Sequence, residues 1–412
     1  MSPLRAEGAP APSGSRHIAF FNIPATGHLT PTLGVVEELV RRGHRVTYAA
    51  TEEYADLIAS TGATVLPYTS SIDPQKIVPA GADDWLARVL EGNVREGAAT
   101  APVFEEYFRS RGELPDLLAY DISVQFLGGV LTRKWNRPGV KFYSVSPTNR
   151  SIPREAVGAA AYDRIESELV AFAGAHGVRD VSFDLLVDDP QALNVVSVPR
   201  EFQYRGEEFD EDGFVFVGPC LRERERVVDP SSGWQPPASG LPVVLISLGT
   251  SFNAQPDFFR RCVAALASGG KWHTVLVTGP GVDAASLGPL PDDVEVHAWL
   301  PLQEVLAHTR VFVCHGGWGT VMQSLHAGTP MVVVPQVGET DQLAHQIGAL
   351  NLGTVLSREE ATVPALREAV ASVDADAGLR ESVARMREHV HAAGGASRAA
   401  DALLNRLPAR VG

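Results

Sequence analysis

The sequence predicts an α/β protein made of two doubly wound domains facing one another across a cleft. Three observations carry that expectation. Short apolar runs alternate with amphipathic segments, the alternation stops in a polar stretch near the middle, and it then resumes with the same rhythm. A chain of 412 residues with 45% hydrophobic content is long enough for two domains of ordinary size, each with its own core.

The elements follow in order. Residues 1–15, MSPLRAEGAPAPSGS, lack the apolar h-region of a signal peptide and read as a disordered arm. RHIAFFNI reads as a short buried strand, PTLGVVEELVRRG as a helix that Gly43 stops, and HRVTYAA as a second strand. EEYADLIASTG continues as a helix, and ATVLPY, PDLLAYD and GVKFYSVS as strands, which implies a parallel sheet wrapped by helices. From about 206 to 240, charge, Pro, Gly and Ser replace the periodicity. That places a first domain at 16–217 and a linker at 218–240. LPVVLISLG, WHTVLVTG, VEVHAWL, RVFVCHG and PMVVVPQ then read as strands, with PDFFRRCVAALAS, QEVLAHT and GTVMQSLHAG as helices between them. The second domain is expected at 241–394, with a C-terminal helix in 395–412 that packs back toward the first.

Composition narrows the partners. A formal net charge of -14 argues against a nucleic-acid-binding face or a polybasic membrane anchor and favours small molecules. No uncharged apolar run reaches the roughly 18 residues of a membrane span. Cys220, Cys262 and Cys314 are too few and too scattered for a disulfide framework or a zinc site. The expectation is a cytoplasmic protein, monomeric or homodimeric.

In open parallel sheets, ligands bind at the carboxyl ends of strands, where helix N-termini point unpaired N–H groups into the crevice. Four places qualify: the loop with His28, Asp121 after LLAY, SLGTS at 247–251, and HGGWGT at 315–320. In HGGWGT, glycines at 316, 317 and 319 allow close backbone approach, and the following helix aims its positive end there, which suits a diphosphate. His315 and Thr320 could each donate a hydrogen bond to it. Asp341 and Gln342 lie after the next strand and could grip sugar hydroxyls, and Trp299 offers a flat face for a base. A glycine-rich turn also serves plain tight packing, Asp341 could be merely solvated, and Trp299 could be core. For His28 the ordinary reading is a structural or exposed histidine near a glycine. Trp85, Phe126, Phe142 and the SVSPTN loop with Ser146 and Asn149 could line an acceptor cleft, though core packing explains most of them equally well.

Taken together, GHLTP, YD, SLGTS, WLPLQEVL, HGGWGT, AGTPMVVVPQ and DQ resemble the nucleotide-sugar-dependent glycosyltransferases of the GT-B fold. The likeness is greatest to the bacterial macrolide glycosyltransferases and extends more distantly to plant UDP-glycosyltransferases. It covers nearly the whole chain and is most specific from Trp299 to Gln342. The resemblance implies a GT-B fold of two Rossmann-like domains, with His28 as catalytic base and Asp121 as its partner. It assigns base stacking to Trp299, the diphosphate to His315, Gly317 and Thr320, and the sugar to Asp341 and Gln342, with Trp318 and Gly319 in the same donor-binding segment. Ser247, Gly249 and Thr250 match a second loop near the phosphates. One departure stands out: Gln323 replaces the glutamate with which the family usually holds the ribose, so a dTDP-sugar stands beside UDP-glucose as donor.

The implied reaction is inverting transfer of a hexose to a hydroxyl of a hydrophobic natural product, such as a macrolide, another polyketide or a flavonoid. It calls for no tightly bound cofactor and no metal. The Asp210/Asp212 and Asp374/Asp376 pairs have no preceding strand and read as solvated carboxylates. A nucleotide-sugar epimerase and a non-catalytic accessory subunit are the rival readings. A Rossmann dehydrogenase is disfavoured because the first strand leads to PATGHLTP, not to Gly-x-Gly-x-x-Gly.

Overall fold

The computed structural model describes residues 14–72, 84–148, 152, 154–222, 234–249, 253–267, 269–279, 281–336 and 339–408, the side chains of 339–341 excepted. Two parallel sheets organise them. The first contains β1 (His17–Phe21), β2 (Arg45–Ala50), β3 (Thr64–Pro67), β4 (Leu117–Asp121), β5 (Gly139–Tyr143), β6 (Ala192–Val196) and β7 (Phe214–Phe216), in the order β3-β2-β1-β4-β5-β6-β7. The second contains β8 (Val243–Ser247), β9 (His273–Val277), β10 (Val294–His297), β11 (Thr309–Cys314), β12 (Met331–Val333) and β13 (Gly353–Val355), in the order β10-β9-β8-β11-β12-β13. Helices cover both faces of such sheets, which is why β1, β4, β5, β8 and β9 are buried along their whole length.

The helices around the first sheet are α1 (Thr26–Arg41), α2 (Glu52–Ala59), α3 (Trp85–Arg111), α4 (Gln125–Trp135), α5 (Arg154–Val157), α6 (Ala159–Ala175) and α7 (Phe183–Val187). Those of the second are α8 (Pro256–Leu266), α9 (Leu302–Leu306), α10 (Trp318–Ala327), α11 (Glu339–Ala349), α12 (Val363–Ala375) and α13 (Ala377–Ala392). The last helix, α14 (Gly395–Asn405), packs against α1, where Arg42 reaches Asp401 and Ser397.

Three details depart from the sequence reading. Residues 214–216, inside the stretch read as polar and aperiodic, add β7 beside β6. Helix α1 begins at Thr26, so Pro31 lies inside it and His28 stands in its first turn. Asp341 and Gln342, expected in a loop, fall in the first turn of α11. Residues 1–13 of the expected arm and 223–233 of the expected linker lie outside the described residues.

Each sheet reverses its strand order once, between β1 and β4 and between β8 and β11. At such a reversal the two neighbouring strands send their following helices to opposite faces, which opens a crevice beyond their carboxyl ends. The register puts Phe21 opposite Tyr120 in the first sheet and Ser247 opposite Cys314 in the second. The strand-end residues of each pair therefore emerge side by side.

Candidate active site

At the first crevice, His28 and Asp121 meet although they are 93 positions apart: His28 Nδ1 lies 2.9 Å from Asp121 Oδ1. The Asp121 side chain is fully buried, whereas the His28 side chain is 24% exposed and so reaches solvent. Asp121 ends β4 and caps the 3-10 turn Ile122–Val124, accepting from the Ser123 backbone N–H at 2.8 Å. On the α1 side, Asn22 Nδ2 donates to the His28 carbonyl at 2.9 Å and to the Tyr48 hydroxyl at 3.1 Å, tying the first turn to the sheet. Two effects oppose one another on the ring. The N-terminal end of α1 disfavours imidazolium, and the carboxylate favours it and fixes the tautomer. With Nδ1 carrying its proton toward Asp121, the lone pair sits on Nε2.

The second crevice is built around His315. Burial pushes its imidazole down to about 4, and its Nδ1 is buried without a hydrogen-bond partner among the described residues. Two glycines make room for the ring. A Cβ at Gly249 would lie 2.6 Å from His315 Cε1, and one at Gly317 would lie 2.4 Å from Nε2. Gly249 also has φ +73°, a backbone that other residues rarely adopt. Among the described residues, a Cβ on Gly319, in the first turn of α10, would meet nothing within 4 Å, so they leave the helix N-terminus uncovered there. Ser247 Oγ accepts from Gly249 N–H at 3.2 Å and thereby shapes the β8 loop. Thr320 Oγ1 donates to the Gly317 carbonyl at 2.8 Å, so its proton already has an acceptor.

Gln323, one turn further along α10, is buried, and its Oε1 has no partner among the described residues. Leaving an amide oxygen unpaired in the interior is costly, and a donor hydroxyl would satisfy it. Trp299, just after β10, is 43% exposed, so the reading that it is a core residue fails. Trp318 packs edge-on against Phe202 of the first domain, with ring centroids 6.2 Å apart. Gln342 is exposed, and Thr250 lies outside the described residues.

A family model described as "Erythromycin biosynthesis protein CIII-like, C-terminal domain" matches residues 265–404. The demethyllactenocin mycarosyltransferase of Streptomyces fradiae is 38% identical over 406 residues, covering 94% of this chain and 86% of that protein. The NDP-glycosyltransferase YjiC of Bacillus subtilis (strain 168) is 36% identical over 397 residues, covering 93% of this chain and 95% of its own length. The calicheamicin glycosyltransferase CalG4 shares the fold with a TM-score of 0.83 at 37% identity, covering 95% of this chain and 98% of that one. The chain belongs to the macrolide-type NDP-glycosyltransferase family. It is a transferase that uses nucleotide sugars, and its two Rossmann-like domains form the GT-B fold.

Within this glycosyltransferase, the residues read as acceptor-lining divide. Phe126 and Phe142 are corrections: both are fully buried in the apolar clusters on either face of the first sheet, Phe126 against Phe183, and offer no surface to a cleft. Trp85 opens α3 and is half-buried, with its Nε1 unpartnered. Ser146 is half-buried beyond β5, and Asn149 lies outside the described residues. Of the carboxylates read as solvated, Asp210, Asp212 and Asp376 are exposed and Asp374 is half-buried, and three of them also serve local structure. Asp374 pairs with Arg310 at 2.6 Å, Asp376 caps α13 through Leu379 N–H at 2.9 Å, and Asp210 accepts from Asp212 N–H at 3.1 Å. Among the described residues, no group of three or more His, Cys, Asp or Glu could hold a metal ion.

Sequence reasoning missed Ser144 and Ser123. Ser144 Oγ lies 2.9 Å from both His28 Nδ1 and Asp121 Oδ2, and Ser123 Oγ lies 3.3 Å from the same nitrogen. The usable signal was register. Asp121 pairs with Phe142, so the residues two places further on, Ser123 and Ser144, leave the sheet together.

Proposed function

We propose that this glycosyltransferase moves a hexose, with glucose from UDP-glucose as the first candidate, to a hydroxyl of a hydrophobic natural product such as a macrolide, another polyketide or a flavonoid. The observation that carries the reading is the His28–Asp121 contact at 2.9 Å beside a strand-order reversal. His28 Nε2 takes the acceptor hydroxyl proton as the oxygen forms its bond to the anomeric carbon. The bond from that carbon to the diphosphate breaks, and its electron pair leaves with the diphosphate. Attack from the face opposite the leaving group inverts the configuration. Asp121 holds the imidazolium as it forms, and the N-terminus of α10 faces the charge growing on the diphosphate. Trp299 stacks on the base, Gln323 accepts from a ribose hydroxyl, and Asp341 and Gln342 hold the sugar.

A second donor reading has its own support. Gln323 stands where a glutamate is usual, and a relative at 38% identity is named a mycarosyltransferase, so dTDP-deoxysugars belong in the same test. Purified protein is incubated with UDP-glucose or a dTDP-deoxysugar against a panel of polyketides and flavonoids, and products are read by mass spectrometry. Transfer is expected, and His28→Ala is expected to lower kcat by about 10²- to 10⁴-fold while nucleotide affinity stays unchanged. Full activity in His28→Ala would remove the assigned base. Absence of product across the matrix, with nucleotide-sugar binding intact, would sink the substrate assignment.

A further inference from the structure

We propose that Ser144 is a positioning residue for the catalytic base, acting through Asp121; the inference rests on the reading that His28 accepts the acceptor proton. Its hydroxyl has one proton and two lone pairs, and the geometry assigns both kinds. The proton goes to Asp121 Oδ2 at 2.9 Å, which leaves a lone pair facing His28 Nδ1, also at 2.9 Å. The Nδ1–H therefore points between two acceptors at 2.9 Å, Asp121 Oδ1 and Ser144 Oγ, with Ser123 Oγ farther off at 3.3 Å. A ring flipped by half a turn would present a C–H to both and lose two bonds, so the serine helps select one ring orientation.

The carboxylate is fixed by the same hydroxyl. Asp121 receives the Ser123 backbone N–H at 2.8 Å on Oδ1 and the Ser144 hydroxyl on Oδ2. Both Asp121 and Ser144 are buried, so no solvent replaces that hydroxyl if it is removed. An unpartnered Oδ2 would draw the carboxylate out of the plane in which Oδ1 meets His28. Among the described residues, the Tyr48 and Tyr143 phenols couple to the charge of Asp121. Burial pushes both upward, so they remain neutral at working pH. Ser144 is thus a polar contact that Asp121 and His28 share, held at the exit of β5 by the same register that sets Phe142 opposite Asp121.

The test uses the full chain and a donor and acceptor pair that gives product. Ser144→Ala should lower kcat about 10- to 100-fold, by analogy with the range seen when the hydrogen-bond partner of a metal-bound imidazole is removed. The donor KM should stay close to that of the parent, while the melting temperature falls because a buried carboxylate oxygen loses its donor. The acid limb of the kcat/KM profile should move to higher pH, because a carboxylate that has lost a donated hydrogen bond holds imidazolium more tightly. Ser144→Thr, which keeps the hydroxyl, should restore kcat and the acid limb. In an Asp121→Asn background, Ser144→Ala should cost little more, since the two act as one unit. Unchanged kcat and pH profile in Ser144→Ala, or a loss that adds in full to that of Asp121→Asn, would overturn the proposal. His28→Ala separates the two claims. An active His28→Ala defeats the base assignment itself, whereas an inactive one beside an unaltered Ser144→Ala defeats only the role given to the serine.

Discussion

The His315 imidazole, pushed down to about 4 by burial, stays neutral in the folded enzyme across the physiological range. In an unfolded chain the same ring titrates near 6.5. Between those two values the unfolded chain binds a proton that the folded one refuses, so stability falls as pH drops from about 6.5 toward 4. At pH 5 this site should have cost about 2 kcal/mol relative to pH 7. His315→Asn should remove that part of the slope, read as a smaller drop in melting temperature from pH 7 to pH 5 than in the parent. An equal drop would show that the ring does not govern it. Single residues also show what a sequence can reveal. That His28, Asp121 and His315 lie at or just beyond strand ends is legible in the sequence, because strand ends in parallel sheets are where ligand sites are looked for, a rule that needs no side-chain geometry. Phe126 and Phe142 misled because both faces of the sheet are covered, so aromatic character does not tell core from cleft. Ser144 was passed over because a serine leaving a strand is ordinary until its partners are seen.

Among the elements, the turn from β11 into α10 is the one where glycines differ most in what they do. Gly317 makes room for a ring of its own chain, with a Cβ there 2.4 Å from His315 Nε2, whereas Gly319 borders space that the described residues leave open. Gly317→Ala should therefore displace His315 and weaken binding of UDP or dTDP at least about tenfold, or 1.4 kcal/mol, in a calorimetric titration. Gly319→Ala should leave the melting temperature unchanged and weaken the same titration only if the diphosphate occupies that space. Unaltered affinity in Gly317→Ala would mean that the cradle tolerates movement of the ring. The helices were unevenly legible. The start of α1 was placed too late because Pro31 reads as a first helical residue, yet five residues precede it in the helix. The 27 residues of α3 carry Gly92, Gly97 and an internal Pro102, which dilute the periodic signal that packing against the sheet later supplies.

At the scale of the whole molecule, α1 joins His28, the proposed base, to both places where the chain crosses between the domains. The outgoing crossing rests on Gly34, where a Cβ would lie 2.5 Å from the Cys220 carbonyl oxygen and 2.7 Å from that of Leu221. Arg222 then pairs with Glu37 through Nε at 2.7 Å. The returning crossing is bonded to the outgoing one, Gly395 N–H to the Val217 carbonyl at 2.7 Å, and it leads into α14, which Arg42, the residue that follows α1, engages. The two domains also share an apolar seam: Val196, Val198, Phe202 and Phe216 belong to the same buried cluster as the core of the second sheet. A domain contact of that kind holds a preferred arrangement, so the reacting halves of the site are set by the crossings as well as by local bonds. Both atoms facing Gly34 are backbone, and a methyl group there cannot be accommodated by a side-chain rotation. Gly34→Ala should cost about 1–3 kcal/mol and lower the melting temperature. It should also reduce kcat/KM, although Gly34 touches no substrate, because relief of the clash moves α1 against the second domain. Gly92→Ala, whose Cβ would meet nothing within 4 Å in the middle of α3, is the control and should hold or raise the melting temperature. A Gly34→Ala enzyme with parental melting temperature and parental kcat/KM would show that α1 and the crossings move independently.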